Sequence, residues 1–437
     1  MKNFKGVVSN INEHRDMIPI GNNIMTYADS RETGVNQNII GVGSTGCGKT
    51  TSITEPQLVH LFESSGVVPV SKQSIVKRYQ GEFKRRGYRT EIINFTDLPQ
   101  STVGYDPMDY VKTNEDAMDL ASMLIGYDDN RKNVDPFWED TAECLVAGII
   151  LLILENAKFA GKNPEFKDVI NLLKILEYVP DPTSSEDRII NINDLFEEAE
   201  KRVPDSMACA MIKSVIRLPD RTGLCVYATV KAAVDKLFTE DIIKMVENKN
   251  SIDFSCLGDE KTLLFVVTNP FNQTCSRFVN IMYSQMFKSL FEKAEQSPKG
   301  ALNIPVRVIC DDFACGTKIK NFDSYISIFR AAGISVTILL QSESQLRSLY
   351  GEHAATTILN NVDTYIFMGS LDDKTVQNVS IKMNMPVNKI MQMPLEQIMV
   401  MRRGSEPFVG KRYQLYDDPV YQRIEAQKDY ENDRQLA

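Results

Sequence analysis

A glycine-rich run, Gly43-Ser44-Thr45-Gly46-Cys47-Gly48-Lys49-Thr50, has the G-x4-G-K-T spacing of a phosphate cradle. Backbone N–H groups of such a turn, and of the helix that opens on it, converge on an anion. Lys49 would neutralise the β- and γ-phosphates, Thr50 would hold a magnesium ion, and Thr51 would complete the nucleotide-binding set. The chemistry implied is binding of ATP with Mg2+, followed by hydrolysis.

Hydrolysis also needs an acid at the end of a neighbouring apolar strand. The run Val306-Arg307-Val308-Ile309-Cys310 ends in Asp311-Asp312. Asp311 would serve the metal through water and Asp312 would be the general base, although two adjacent acids also fit a solvated turn. The next apolar stretch, 335–340, ends in Gln341-Ser342. Gln341 there would orient water near the γ-phosphate, or the pair simply caps a helix. Arg330 closes the helical stretch between the two strands, where a cation already answers the helix dipole.

A parallel sheet is the scaffold these positions require. Apolar runs at 38–42, 66–70, 91–95, 262–268, 306–310, 335–340 and 364–368 are each followed by a helix-like stretch, the alternation of a sheet covered by helices. The first run enters the glycine loop, and 50–62 leaves it as a helix. Residues 114–249 offer almost no strand signal and instead carry helical periodicity at 138–156, 166–178, 192–202 and 229–246. Pro180 and Pro182 break this section into halves. Segments 398–402 and 407–412 flank Gly404 as a hairpin. From Tyr421 the chain is charged without a core face and reads as a surface helix or a loose tail.

At 437 residues the chain is long enough for two or three folding units, and 43% hydrophobic with 24% charged residues is the balance of a soluble globular protein. A net charge of -9 excludes a surface that is basic all over. The strongest local excess is Lys72, Lys77, Arg78, Lys84, Arg85, Arg86 and Arg89. On a helix, Ile75, Tyr79 and Phe83 would share its buried stripe while Lys77 and Lys84 point outward, giving either a solvated basic face or a local polyanion contact. Eight cysteines without a CxxC pair, and three histidines, favour reduced thiols in a cytoplasmic protein over a metal site. The first ten residues offer no secretory signal, and the longest apolar run, 144–154, is about half of a bilayer span.

Taken together, these motifs make the chain similar to the VirD4/TraG coupling ATPases of type IV secretion and conjugation. The likeness is densest over 308–369: the acidic strand end, Phe313-Ala314, Asn321-Phe322, Arg330, Ile334-Ser335 and the strand ending in Gln341-Ser342. Further matches are Arg31-Glu32-Thr33-Gly34, Tyr105-Asp106-Pro107-Met108-Asp109-Tyr110, Asp135-Pro136-Phe137-Trp138, and Arg403-Gly404 through Gly410-Lys411. The resemblance implies an α/β fold: a RecA-like P-loop NTPase domain with a mostly parallel sheet and an inserted all-α domain, assembling as a hexamer. It makes Arg330 an arginine finger acting in trans and Gln341 a γ-phosphate sensor. It implies that the all-α domain receives a relaxase or other secreted substrate, that membrane channel components are partners, and that DNA, single- or double-stranded, is handled.

The expected divisions are 1–30, an N-terminal segment; 31–113 and 250–420, the two parts of the nucleotide-binding domain; 114–249, the inserted domain; and 421–437, a charged tail. Three positions depart from the family pattern. The family's N-terminal transmembrane helices have no counterpart, so a cytoplasmic protein recruited to the inner membrane face by partners is expected. Asp311-Asp312 replaces Asp-Glu, and Val70-Ser71-Lys72-Gln73-Ser74 replaces Asp-Pro-Lys-Gly-Glu. The shorter base leads to an expectation of slow hydrolysis. Two other readings follow: a nucleotide-binding adaptor with weak turnover, and a soluble DNA translocase using the basic stretch.

Overall fold

The computed structural model describes residues 7–8, 15–71, 73–126, 135–175, 192–269, 273–311, 313 and 318–436. Twelve strands occur among them: β1 (Val7–Val8), β2 (Met17–Gly21), β3 (Ile24–Tyr27), β4 (Ile39–Val42), β5 (Ser65–Val70), β6 (Arg89–Asn94), β7 (Thr262–Val267), β8 (Val306–Cys310), β9 (Ile334–Leu340), β10 (Thr364–Phe367), β11 (Gln397–Arg402) and β12 (Phe408–Lys411). The chain divides into two compact units, one of 1–102, 253–276 and 286–437, the other of 103–252 and 277–285.

The first unit is built on a nine-stranded sheet of order β12-β11-β10-β4-β9-β8-β5-β7-β6. Its seven strands from β10 to β6 are parallel, and β11 and β12 add an antiparallel hairpin at one edge. Parallel strands buried on both faces read as nearly continuous apolar runs, and β4, β7 and β8 are buried at every position, Thr262 of β7 and Arg307 of β8 included. All seven apolar runs picked out in the sequence are therefore strands. A small antiparallel sheet, β1-β3-β2, was not foreseen. Its strands are short and lie against a Gly21-Asn22-Asn23 turn, and Ile18, Ile20 and Ile24 join the core beside β4 and β11.

Two expectations for this unit need correction. The C-terminal stretch is a helix, Pro419–Leu436, but it does have a core face: Val420, Tyr421 and Ile424 are buried with Tyr79 and Phe83 of the helix Gln73–Arg85. The predicted stripe Ile75-Tyr79-Phe83 is what it packs on, and burial of each such side chain is worth about 2 kcal/mol. The basic stretch is also less available than its composition implied. Arg78 pairs with Glu55 at 2.7 Å and Glu425 at 2.6 Å, Arg86 with Glu82 at 2.7 Å, and Arg89 with Glu91 at 2.7 Å and Glu260 at 2.9 Å. Lys77 and Lys84 point outward, as the periodicity requires, and Lys72 lies outside the described residues.

The second unit is helical and carries no strand among its described residues beyond a single bridge between Gly104 and Ser251. Its central helix, Pro136–Ala160, starts on the Asp135 cap and buries Leu145, Val146, Ile149, Ile150 and Leu152, the apolar run noted in the sequence. Gly148 lets Met207–Ile216 cross closely, since a Cβ there would lie 2.8 Å from Ile212. The stretch 229–246 is not one helix but two, Asp220–Leu237 and Glu240–Val246, divided at Thr239, whose side chain accepts from the Ile242 N–H. Thr-Glu-Asp is a helix start that outranked the apolar periodicity running through it. Pro180 and Pro182 lie outside the described residues.

Candidate nucleotide site

The glycine run begins where β4 ends. Gly41 in that strand leaves no room for a side chain: a Cβ would fall 2.6 Å from Leu339 and 2.7 Å from Ile53. Its absence lets the helix after the loop lie directly on the sheet. At Gly43 a Cβ would sit 2.5 Å from Cys47 Sγ and 2.9 Å from Met368 Cβ. Gly46 and Gly48 take φ values of +76° and +80°, a left-handed backbone that side chains with a Cβ adopt at a cost. The loop thus folds tightly over the end of the sheet. Its entry is fixed by Gly43 N–H to Leu340 O at 3.0 Å and Ser44 N–H to Gly369 O at 2.8 Å.

Cys47 is buried in the core beneath the loop with Ile39, Ile53 and Met368, and burial pushes its thiol up against the pull of Lys49 and Arg412. It is therefore a packing residue in its protonated form. Thr45 and Gly46 at the loop tip are exposed. Beyond Lys49, the first helical turn, Thr50–Thr54, is widened to the i→i+5 pattern before Glu55–Val59. Thr51 Oγ1 donates to Gly48 O at 3.2 Å.

Lys49 is buried, and its Nζ donates to the loop's own carbonyls, Gly43 O at 2.7 Å and Ser44 O at 3.3 Å. No carboxylate pairs with it among the described residues. A buried ammonium held only by carbonyls is a strong attractor for an anion. Thr50 Oγ1 donates to Asp311 Oδ2 at 2.5 Å, joining residues from the two ends of the proposed metal site. A hydroxyl beside a strand-end carboxylate is a donor set of hard oxygens, which fits Mg2+.

The sheet order explains how these residues meet. β9 lies between β4 and β8, with Val42 level with Leu340 and Cys310 level with Ile338. Gly43 and Gln341 therefore stand level at the ends of β4 and β9, with Asp311 at the end of the adjacent β8, level with Leu339. Gln341 is partly buried, and its backbone N–H donates to Gln345 Oε1 at 3.2 Å. Its neighbour Ser342 is the helix cap, accepting from Gln345 N–H at 3.3 Å, so the two residues of that pair have different jobs.

Asp312 lies outside the described residues. Arg330 is not brought to the site. It is exposed in the last turn of Phe322–Ala332, three residues before Gly333 passes the chain into β9. That is the N-terminal end of the strands, the end of the sheet opposite the glycine loop.

One residue beside the loop escaped the sequence reading. Arg412, just past β12, donates from Nη1 to Cys47 O, from Nη2 to Met368 O at 3.4 Å and from Nε to Gln397 O at 3.5 Å. No local signal marks it, because its partner in the loop is 365 positions away.

A family model described as type IV secretory system conjugative DNA transfer matches residues 5–383. The conjugal transfer protein TraG of Escherichia coli is 19% identical over 324 residues, which are 71% of this chain and 49% of that protein. The chain thus spans about half the length of this curated relative. Among solved structures, the bacterial conjugative coupling protein TrwBdeltaN70 with sulphate is similar at a TM-score of 0.62 and 16% identity, covering 88% of both chains. TrwB with ADP and Mg2+ gives 0.64 at 14% identity, covering 88% of this chain and 87% of that one. VirB4 of Thermoanaerobacter pseudethanolicus gives 0.56 at 14% identity over 95% of this chain and all of that one. At such identities the structural likeness establishes the fold, α/β with a RecA-like P-loop core. No helix among the described residues is long and apolar enough to cross a membrane. With a family model matched over most of its length and a P-loop fold shared with coupling proteins, the chain belongs to the type IV secretory system conjugative DNA transfer family.

Proposed function

We infer that the protein is the ATP-dependent coupling component of a type IV secretion or conjugation system, which passes DNA–protein or protein substrates to a membrane channel. The observation that carries this is the Thr50–Asp311 contact at 2.5 Å, which closes a two-strand site around the buried Lys49. When bound, Mg2+ would neutralise charge on the β- and γ-phosphates. Lys49 would exchange its loop carbonyls for phosphate oxygens, Thr50 and Asp311 would hold the metal, directly and through water, and Gly43 to Thr51 would cradle the phosphates. Gln341 orients water, and Asp312 takes its proton.

Arg330 acts in trans on a neighbouring subunit of a hexamer, a role favoured by its position at the end of the strands opposite its own loop. The helical unit receives the relaxase or other secreted substrate. The protein works in the cytoplasm at the inner face of the membrane. Direct DNA binding through the basic stretch has less support, because Arg78, Arg86 and Arg89 already hold carboxylates.

The test is the specific ATPase rate measured against protein concentration, with and without DNA. Expected are a rate that climbs steeply as subunits assemble, its loss in Lys49→Ala, and an increase in Asp312→Glu. A wild-type chain that binds no nucleotide would sink this reading. A rate independent of concentration would remove the trans arginine.

A further inference from the structure

We propose that Arg412 is a positioning residue of the nucleotide site, setting the Cys47–Gly48 peptide in the orientation that phosphate binding needs. This rests on the nucleotide reading above and adds a residue to it.

The argument starts from the peptide plane. The C=O of Cys47 and the N–H of Gly48 belong to one trans peptide and point in opposite directions. Arg412 Nη1 takes the carbonyl, and the same nitrogen lies 3.6 Å from where a Gly48 Cβ would stand. With the carbonyl held outward, the Gly48 N–H turns into the loop. A glycine peptide at φ +80° has little of its own to resist rotation, so the orientation must be imposed from outside. Arginine suits the task because a rigid fork of donors can reach several carbonyls at once.

Its other contacts, to Met368 O at the end of β10 and Gln397 O in β11, tie the fork to the sheet that carries the loop. The partly buried guanidinium also brings a positive charge to the loop at Cys47, a different peptide from the Gly43 and Ser44 carbonyls that Lys49 Nζ bonds. Both effects favour an anion in the cradle: one aims a donor, and the other adds to the field. Lysine would supply the charge without the fork.

Binding of a fluorescent ADP analogue with Mg2+ to the full chain tests this, using wild type, Lys49→Ala, Arg412→Lys and Arg412→Gln. The expected result is a loss of affinity of about tenfold in Arg412→Gln, partial recovery in Arg412→Lys, and restoration of the Gln variant by guanidinium at about 20 mM. The Gly48 amide resonance of 15N-glycine-labelled protein should shift on ADP addition in wild type and shift less in Arg412→Gln. A purely structural contact would not produce that difference.

Affinity within twofold of wild type in a folded Arg412→Gln protein would overturn the proposal. Should that variant fail to fold, Arg412→Lys decides: a threefold or greater loss at unchanged melting temperature supports the role, and equal affinity overturns it. Failure of wild type itself to bind would reject the nucleotide reading, a result distinct from wild-type binding that Arg412 does not affect.

Discussion

Asp106 shows how much one side chain can depend on its surroundings. It begins the 3-10 turn Pro107–Tyr110, accepting from Met108 N–H at 2.8 Å and from Phe166 N–H at 3.1 Å. Burial raises its carboxyl to about 7 despite those two donors, whose pull is the smaller effect. The folded state therefore binds the proton more tightly than the unfolded chain, whose carboxyl titrates near 3.8. Stability contributed at this position is present at low pH and falls as pH rises from about 4 to 7. In thermal unfolding between pH 4.5 and 7.5, wild type should lose stability relative to Asp106→Asn as pH rises. A difference constant across that range would contradict the assignment. In the sequence Asp106 stands out only as part of the Tyr105–Tyr110 match to the family, since its burial depends on a helix 60 positions away.

Among the elements, the link between the end of the P-loop helix and the C-terminal helix is the one most open to a direct test. His60 follows Glu55–Val59, and its Nε2 lies 2.7 Å from Asp418 Oδ2 and 3.0 Å from Tyr413 Oη; Tyr413 donates to the same carboxylate oxygen. All three are buried. Burial alone would raise the Asp418 carboxyl, but hydrogen bonds from His60 and Tyr413 outweigh it and hold it at about 2. A depressed carboxylate stabilises above its unfolded value near 3.8, and that contribution is lost as pH falls toward 2. Asp418→Asn should cost about 3 kcal/mol at neutral pH, measured by denaturant unfolding, because it leaves buried groups short of their partner. A cost below about 1 kcal/mol would show that the cluster is not the clasp its geometry implies.

Elements also mark the boundary of what could be read in advance. Strands β4, β8 and β9 were legible because burial on both faces favours nearly continuous apolar residues, broken only by Arg307 in β8 and by Ser335 and Thr337 in β9, and the loop glycines because few residues tolerate that backbone. Asp311 and Gln341 were legible as strand ends. Arg412, His60 and Asp418 were not, because each has meaning only through a partner hundreds of residues distant. The face of the last helix was missed for a related reason: three apolar residues in its first turns are swamped by charges further on.

At the scale of the whole molecule, the sheet separates two parts of the proposed chemistry. The glycine loop, Gln341 and Asp311 stand at the C-terminal ends of the strands, and Arg330 stands at their N-terminal ends. A site completed by a neighbour's arginine predicts complementation. Lys49→Ala and Arg330→Ala should each be inactive alone. Mixed in equal amounts, they should recover roughly a quarter of the wild-type rate, the chance that an intact loop faces an intact arginine in a random ring. Recovery absent from mixtures that demonstrably co-assemble would place Arg330 outside the reaction.

The reach of Arg412 back to Cys47 also sets a clock. At ordinary synthesis rates of 5–20 residues per second, the 365 positions between them take roughly 20–70 seconds to translate. Until then the glycine loop waits on the growing chain without its brace, and the helical unit, encoded in between, has time to fold first. A nascent chain of this protein would thus gain its helical unit well before it gained a finished phosphate cradle.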